Sequence, residues 1–274
     1  MPTFLGKPFN SYFKNILGMN QSSNTGVDAT TRVVHDGAGQ STSISLSDDV
    51  LSVQPVTDNT TGTMLVKNQG GSNLLSVDTT NSKVLLGASQ VAANTQYAYF
   101  GIDYASSSGF AADIHYAIPF VQGESQSGVN AMGTSTSSSF NDTNPSASLT
   151  LTGSGVDAAQ YITHSYWYVM DDITIDAVKW LHGADTATGD DTAAHLMAYT
   201  VDTGNGSTSG DLSSGVVVAD GATITNAGYE QIYYQAMTVQ SANVDAGKVI
   251  LFTFASDTVN SDYSINATVK YHIR

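Results

Sequence analysis

Cysteine is absent from the 274 residues, and cations are scarce: nine Lys and Arg residues face 24 Asp and Glu residues, for a formal charge of −15. Without cysteine the chain forms neither a disulfide scaffold nor a thiolate metal site. Its low isoelectric point, near 4.3, argues against nucleic acid as a partner, because phosphate recognition needs Lys and Arg. No apolar run approaches the ~20 residues that span a bilayer, so no membrane insertion is expected.

The polarity that is present comes from neutral groups, since charged residues make up 12% of the chain and hydrophobic residues 41%. This hydrophobic content suffices for a folded core. The charge is uneven: residues 1–90 carry five cations and six aspartates, whereas residues 91–274 carry four cations and 18 acids. The first part is nearly neutral and suited to docking on another protein, and the second part has an acidic surface that favours solubility.

Residues 1–19 are the one good helical candidate. Phe9, Tyr12, Phe13, Ile16 and Leu17 recur at the spacing of one helix face. So short a helix is unstable alone and needs a surface to cover its apolar side. Three interpretations stay open: packing on the protein's own body, insertion as an anchor into a larger assembly, or lying on a membrane surface. The anchor interpretation assigns the contacts to Phe4, Leu5, Phe9, Tyr12, Phe13, Ile16 and Leu17.

Residues 31–90 carry short β-type runs separated by turn residues. The predicted strands are 32–35, 44–46, 50–53, 64–67, 74–77 and 84–86. Strands of three to five residues in a segment of this size bury little surface, so the segment is marginal by itself. Sharing apolar faces among identical chains would stabilise it, which predicts an intertwined or side-by-side homotrimeric stalk.

One part of this region resembles a known family. Residues 62–87, GTMLVKNQGGSNLLSVDTTNSKVLLG, are similar to the stem repeat of phage fibre and spike proteins. Residues 33–47, VVHDGAGQSTSISLS, resemble another fibre element. The resemblance implies a virion protein that forms trimers, with an N-terminal attachment segment ahead of a distal domain.

Residues 91–274 read as an all-β domain. Residues 263–273 alternate between apolar and polar side chains, the signature of a half-buried strand. The run VILFTFA at 249–255 is apolar on both faces and predicts a central strand. Further strands are predicted at 97–102, 114–120, 149–151, 161–170, 173–182, 195–201, 216–218 and 229–239. This pattern favours an antiparallel β-sandwich or jelly roll, with long polar loops at 122–146 and 202–215 that are plain surface loops or contact a receptor.

No motif for catalysis is found, and no enzyme activity is expected. The six histidines are too far apart in sequence for a local zinc pair. Asp171, Asp172, Asp202 and the loop 185–191 offer carboxylate oxygens, but the loop does not match an EF-hand. No cofactor is predicted, and solvated turns and a structural Ca²⁺ site remain the two interpretations of these acids.

Aromatic residues cluster at Tyr166, Trp167 and Tyr168. In a strand, consecutive side chains point to opposite faces, so the three cannot all enter the core. They are interpreted either as core and subunit-interface residues or as a surface that stacks against saccharides.

The sequence therefore predicts an N-terminal anchor and linker (1–30), a trimeric β-stalk (31–90) and a distal β-sandwich (91–274). The leading hypothesis is a non-enzymatic phage fibre or spike in the virion. Residues 1–30 would bind a capsid or tail protein, and the distal domain would contact a host-surface glycan. The alternatives are a capsid decoration (head fibre) protein, a glycan-degrading spike enzyme and a cellular adhesin.

Overall fold

A computed structural model describes residues 16–19, 26–89, 91–105, 112–120, 145–150, 163–185, 188–228, 230–257 and 262–274. These residues are nearly all β, in antiparallel sheets, which confirms the predicted fold class. The chain divides into two compact units, Met1–Asn94 (unit 1) and Thr95–Arg274 (unit 2). Among the described residues, no helix is long and apolar enough to cross a membrane.

Unit 1 contains two four-stranded sheets in which each strand pairs with the next along the chain. The first sheet comprises β1 (Gly18–Met19), β2 (Arg32–His35), β3 (Ser41–Leu46) and β4 (Leu51–Val53). The second comprises β5 (Met64–Lys67), β6 (Asn73–Asp78), β7 (Lys83–Leu86) and β8 (Val91–Ala92). All six short strands predicted in this region are therefore found.

The predicted N-terminal helix differs from the structure at its described end. Ile16 and Leu17 lie outside any helix, and Gly18–Met19 pairs with β2 through Gly18 opposite His35. Strand pairing thus replaces the predicted helix at Gly18 and Met19. Phe4, Leu5, Phe9, Tyr12 and Phe13 lie outside the described residues.

One face of the second sheet is largely apolar and uncovered. Register places Met64 opposite Val77 and Val66 opposite Leu75, and opposed residues share a face. Its hydrophobic residues, called the apolar face below, are Met64, Val66, Leu75, Val77, Val84, Leu86 and Val91, and Asn73 lies at its end. None of the seven is buried. The opposite face is partly covered, since the buried Ser76 hydroxyl donates a hydrogen bond to the Thr61 carbonyl at 3.2 Å.

The described residues of unit 2 form one large antiparallel sheet of eleven strands. They are β9 (Thr95–Ala105), β10 (Tyr116–Ile118), β11 (Trp167–Tyr168), β12 (Ile173–Asp185), β13 (Asp191–Val201), β14 (Leu212–Asp220), β15 (Ile224–Thr225), β16 (Gln231–Val239), β17 (Asn243–Val244), β18 (Lys248–Ser256) and β19 (Asp262–Ile273). The main order is β10-β18-β13-β14-β16-β12-β19-β9, and β11, β15 and β17 pair with β18, β13 and β12 respectively.

The sheet folds over until its two edges nearly meet, as a barrel-like sandwich. At the seam, the Gly101 amide on β9 donates a hydrogen bond to the Pro119 carbonyl beyond β10 at 2.9 Å. At the opposite corner, β14 and β16 pair through Ala219 with Val239 and Asp220 with Thr238. The two halves therefore enclose one interior.

Large aromatic side chains fill that interior. Trp180, Phe100 and Phe254 are fully buried, and the Trp180 ring lies 6.0 Å from the rings of both Phe252 and Phe254. The predicted central strand 249–255 lies within β18, whose apolar residues pack on both of its faces, as expected. The alternating strand 263–273 is also confirmed, with Ile265, Ala267 and Val269 turned inward.

Three predicted strands of unit 2 are much shorter than expected. Of the predicted strand 149–151, Leu149 forms an isolated bridge to Leu212, and residue 151 lies outside the described residues. Residues 163–165 form a 3₁₀ turn, and only Trp167–Tyr168 of the predicted strand 161–170 is extended and paired; residues 161 and 162 lie outside the description. The prediction was wrong here because strand propensity favours the whole run, whereas tertiary pairing with β18 extends over two residues. The predicted strand 114–120 is reduced in the same way to Tyr116–Ile118.

Replacing Gly221 with alanine is expected to lower the free energy of unfolding by about 1–3 kcal/mol. A Cβ at this position would lie 1.8 Å from Gln235 Oε1, which accepts the hydrogen bond of the buried Trp180 indole N–H at 3.1 Å. Displacing the amide leaves that N–H without its acceptor. Gly206→Ala is the matched control, because a Cβ there meets nothing within 4 Å. Urea unfolding measures both variants, and equal stability would contradict the expectation.

Candidate functional site

A surface cavity of about 250 Å³ opens at one end of the unit 2 sandwich. Its described lining combines aromatic, aliphatic and polar side chains from β9, β11, β12, β19 and the turn after β11. The lining residues are Gln96, Trp167, Tyr168, Val169, Met170, Asp171, Ile173, Tyr271 and Ile273. This cavity, called the aromatic pocket below, contains two of the three aromatic residues that the sequence singled out.

Trp167 forms the rigid floor of the aromatic pocket. Its ring stacks on Phe120 with centroids 5.6 Å apart and planes at 8°, and it lies 4.9 Å from the Tyr271 ring. These contacts bury Trp167 to 8% exposure. The ring therefore contributes an immobile wall to the cavity.

A hydrogen bond across two strands fixes the polar side of the pocket. Tyr271 on β19 lies opposite Gln96 on β9, and its hydroxyl donates to Gln96 Oε1 at 2.9 Å. Burial raises the pKa of Tyr271, so its hydroxyl remains a proton donor at neutral pH. Gln96 is exposed, and its side-chain amide has two N–H groups that can donate to a bound molecule.

The turn after β11 is held by backbone contacts, which leaves the side chains at its tip exposed. Val169 donates to the Lys248 carbonyl at 2.9 Å, and Gly247 donates to the Val169 carbonyl at 2.8 Å. Asp172 Oδ1 accepts the Ala246 amide at 2.8 Å. Met170 and Asp171 project from this turn, so the pocket has an adaptable thioether and one carboxylate at its rim.

The three predicted aromatic residues have different environments. The Tyr166 hydroxyl donates to the Gly210 carbonyl at 3.1 Å, and burial raises the pKa of Tyr166. Trp167 packs in the core, and Tyr168 is 47% exposed. Tyr168 is thus the ring most available for stacking, whereas Gln96 and Tyr271 were missed because strand pairing alone brings them here from distant parts of the chain.

The carboxylates proposed for Ca²⁺ do not come together. Asp202 accepts hydrogen bonds from the Gly204 amide at 2.8 Å and the Thr208 hydroxyl at 2.5 Å, which hold the pKa of Asp202 below its usual value. Asp191 accepts from Thr225 at 2.6 Å. Throughout the described part of the chain, no group of three or more acidic or histidine residues could hold a metal ion. Residues 186 and 187, and the loop 122–144, are outside the described ranges.

Four of the histidines, His115, His182, His195 and His272, are buried within unit 2. His182 lies between the rings of Trp180 and Tyr233, at 4.7 and 5.0 Å, in the sandwich interior. His115 and His195 are in edge-to-face contact at 5.2 Å. Burial lowers the pKa of His182 to about 4 and, with the neighbouring His195, that of His115 to about 3. The His182 and His115 rings are therefore neutral parts of the fold at neutral pH.

Trp167→Ala is expected to destabilise unit 2 by about 3–5 kcal/mol, because it removes a packed core ring. Tyr168→Ala is expected to change stability by less than about 0.5 kcal/mol, since its ring is exposed. Urea unfolding followed by far-UV circular dichroism compares the two neighbours directly. Similar losses in both variants would contradict the assignment of Trp167 to the core and Tyr168 to the surface.

No known protein-family model matches this chain, and no curated protein matches it in sequence. The resemblance of residues 62–87 to fibre stems stays a prediction. The function is therefore inferred from the residues of the chain itself.

Proposed function

We propose that the chain is the subunit of a short homotrimeric bacteriophage fibre or spike, without enzymatic activity. Unit 1 assembles with identical copies, residues 1–30 attach the trimer to a capsid or tail protein, and unit 2 is displayed on the virion surface for contact with a host glycan. The apolar face of unit 1 is the observation that carries this proposal.

A lone unit 1 is poorly stabilised by burial. Val34 is the single hydrophobic side chain buried among its described residues, whereas unit 2 holds both large hydrophobic clusters. Seven apolar side chains left uncovered on one small sheet favour association, because each gains about 25 cal/mol per Å² of surface removed from water. Identical copies offer the matching surface without requiring a second protein, and closed symmetry is the usual form of such assemblies.

The proposed stoichiometry of three subunits rests on the resemblance of residues 62–87 to fibre stems. Alternation along β5, β6 and β7 gives a narrow apolar stripe two to three residues long, suited to packing around a common axis. The opposite face mixes Leu65, Leu74 and Leu85 with the buried Ser76 and Asp78, which bond to nearby turns, and it would then point away from that axis.

The aromatic pocket supports the proposed contact with glycans. Sugar rings present apolar C–H faces and many hydroxyls, which suit an exposed Tyr168 ring beside the Gln96 amide and the Asp171 carboxylate. The described lining contains one carboxylate, whereas glycoside hydrolysis ordinarily uses a pair. Binding without cleavage is therefore the proposed role, and three copies would raise avidity.

The mass of the purified full-length chain tests the proposal. Light scattering or sedimentation equilibrium is expected to give three times the 28.7 kDa subunit mass. A monomer that persists at micromolar concentration would refute the assembly, and a stable dimer would refute the threefold arrangement.

A further inference from the structure

The aromatic pocket has one charged side chain in its described lining, and that side chain is acidic. Asp171 is exposed, and within the described part of the chain its carboxylate has no hydrogen bond or ion pair. Two acids close to it are engaged: Asp172 Oδ1 accepts the Ala246 amide at 2.8 Å, and Asp245 Oδ1 accepts the Arg274 guanidinium at 2.7 Å. These two acids stabilise the fold, whereas Asp171 is available to a ligand.

The cations of the adjoining strands are directed elsewhere. Lys248 Nζ donates to Thr200 Oγ1 at 2.6 Å, and the Arg274 guanidinium is paired as described above. Lys270 precedes Tyr271 in β19, so the Lys270 side chain points to the opposite face of that strand. Unit 2 as a whole carries four cations and 18 acids. A cationic ligand is therefore attracted both by Asp171 and by the overall field of the unit.

Aromatic rings line the pocket together with this carboxylate. The Trp167 and Tyr271 rings meet at 57° with their centroids 4.9 Å apart, and Tyr168 contributes a third ring that is 47% exposed. Aromatic faces attract ammonium groups through cation–π interactions, most strongly where the cation loses water. A bare metal ion is not favoured, because one carboxylate supplies few of the six to eight oxygen ligands that Ca²⁺ takes. The lining therefore suits an organic cation.

The size of the pocket limits what it encloses. Its volume of about 250 Å³ is smaller than the roughly 300–1,000 Å³ of cavities that enclose drug-sized molecules. One sugar unit of a glycan is a suitable occupant, with the rest of the glycan outside. Gln96 in the lining adds amide N–H donors for the hydroxyls of that unit.

We propose that the aromatic pocket binds one hexosamine unit whose amino group is free and positively charged. The ammonium group pairs with Asp171, the C–H face of the sugar ring stacks on Tyr168 above the floor formed by Trp167, and the Gln96 amide binds a sugar hydroxyl. This inference rests on the proposed function and deepens it, because it names the class of glycan that the pocket selects.

Calorimetric titration of the full-length chain with three disaccharides tests the inference. The disaccharides of glucosamine, N-acetylglucosamine and galacturonate are cationic, neutral and anionic respectively. The glucosamine disaccharide is expected to bind about tenfold more tightly than the other two, because a hydrogen bond between charged groups is stronger than one between neutral groups. Asp171→Asn is expected to remove this advantage and to leave the affinity for the neutral disaccharide unchanged. Added salt should weaken glucosamine binding to the original chain more than to Asp171→Asn.

Asp103→Asn is the matched control, because Asp103 is an exposed acid of β9 that does not line the pocket. Equal weakening of glucosamine binding by Asp103→Asn and Asp171→Asn would reveal a general attraction to acidic surface and overturn the inference. Equal affinity for the cationic and neutral disaccharides, reduced by Tyr168→Ala, also overturns it, while the glycan contact of the proposed function stands. Absence of binding by all three disaccharides overturns it as well, and the subunit mass then decides the trimer independently.

Discussion

Unit 2 is expected to lose about 6 kcal/mol of its free energy of unfolding between pH 6.5 and pH 4, because it buries neutral histidines. This loss is comparable with the 5–15 kcal/mol that stabilises a typical domain. Acid unfolding should therefore begin well above the pH at which carboxylates are protonated.

His182 is the first source of the effect. Burial between Trp180 and Tyr233 lowers the pKa of His182 from 6.5 to about 4, and the nearby Asn226 side chain opposes this shift in part. The other rings around it, of Phe254 and Tyr263, lie 6.0 Å away. As pH falls below 6.5, His182 binds a proton in the unfolded chain but stays neutral in the folded protein. Stability is thus complete above pH 6.5 and is lost at about 1.4 kcal/mol per pH unit until the folded state protonates near pH 4.

His115 is the site of a second proton that is taken up on unfolding in the same pH range. Burial, and then the neighbouring His195, lower the pKa of His115 to about 3, so its contribution continues to fall below pH 4. The depressed carboxylates behave differently: hydrogen bonds lower the pKa of Asp28 and Asp78 in unit 1 and of Asp202 in unit 2 below the usual value. Their stabilisation is present above pH 4 and is lost only at lower pH.

Tryptophan fluorescence follows the unfolding of unit 2 specifically, because both tryptophans, Trp167 and Trp180, belong to unit 2. Urea unfolding at a series of pH values should give a plot of the free energy of unfolding against pH whose slope, between pH 6.5 and pH 4, corresponds to the uptake of nearly two protons on unfolding. His182→Phe keeps a packed ring and should reduce that slope by about one proton. His35→Gln, in unit 1, is the control and should leave the slope unchanged. An unaltered slope in His182→Phe would remove the histidine explanation.

The sequence predicted the fold best where one face of a strand is apolar and the other polar. In β19, Ile265, Ala267 and Val269 alternate with Asn266 and Thr268, so pattern and structure agree. The two-residue strands β8, β15 and β17 were not predicted, because pairs such as Val91 with Leu86 are set by tertiary pairing rather than by any local pattern. The predicted strand 161–170 was wrong for the same reason.

The candidate sites were less accessible to sequence reasoning. Trp167 and Tyr168 are adjacent and conspicuous, whereas Gln96 and Tyr271 meet only through the pairing of β9 with β19. In β9, Tyr97 and Tyr99 alternate with Ala98 and Phe100, so both faces look apolar and the alternation does not reveal which face is buried.

Leu86→Asp is expected to convert the proposed trimer into monomers of 28.7 kDa. Leu86 belongs to the apolar face and is 45% exposed in the single subunit, so the substitution costs little in subunit folding. In the assembly it would bring buried, like-charged carboxylates together, at several kcal/mol for each. Sedimentation equilibrium across a range of concentrations measures the change.

Leu74→Asp supplies the matched control for this dissociation. Leu74 has the same side chain and nearly the same exposure, 48%, but in β6 it alternates with Leu75 and thus points to the opposite face of the same sheet. A general loss of solubility or of unit 1 stability would affect both variants equally, whereas a specific interface distinguishes them. Retention of the trimer by Leu86→Asp, or its loss in Leu74→Asp alone, would show that copies associate through some other surface, since a charge at the centre of the apolar face is incompatible with packing there.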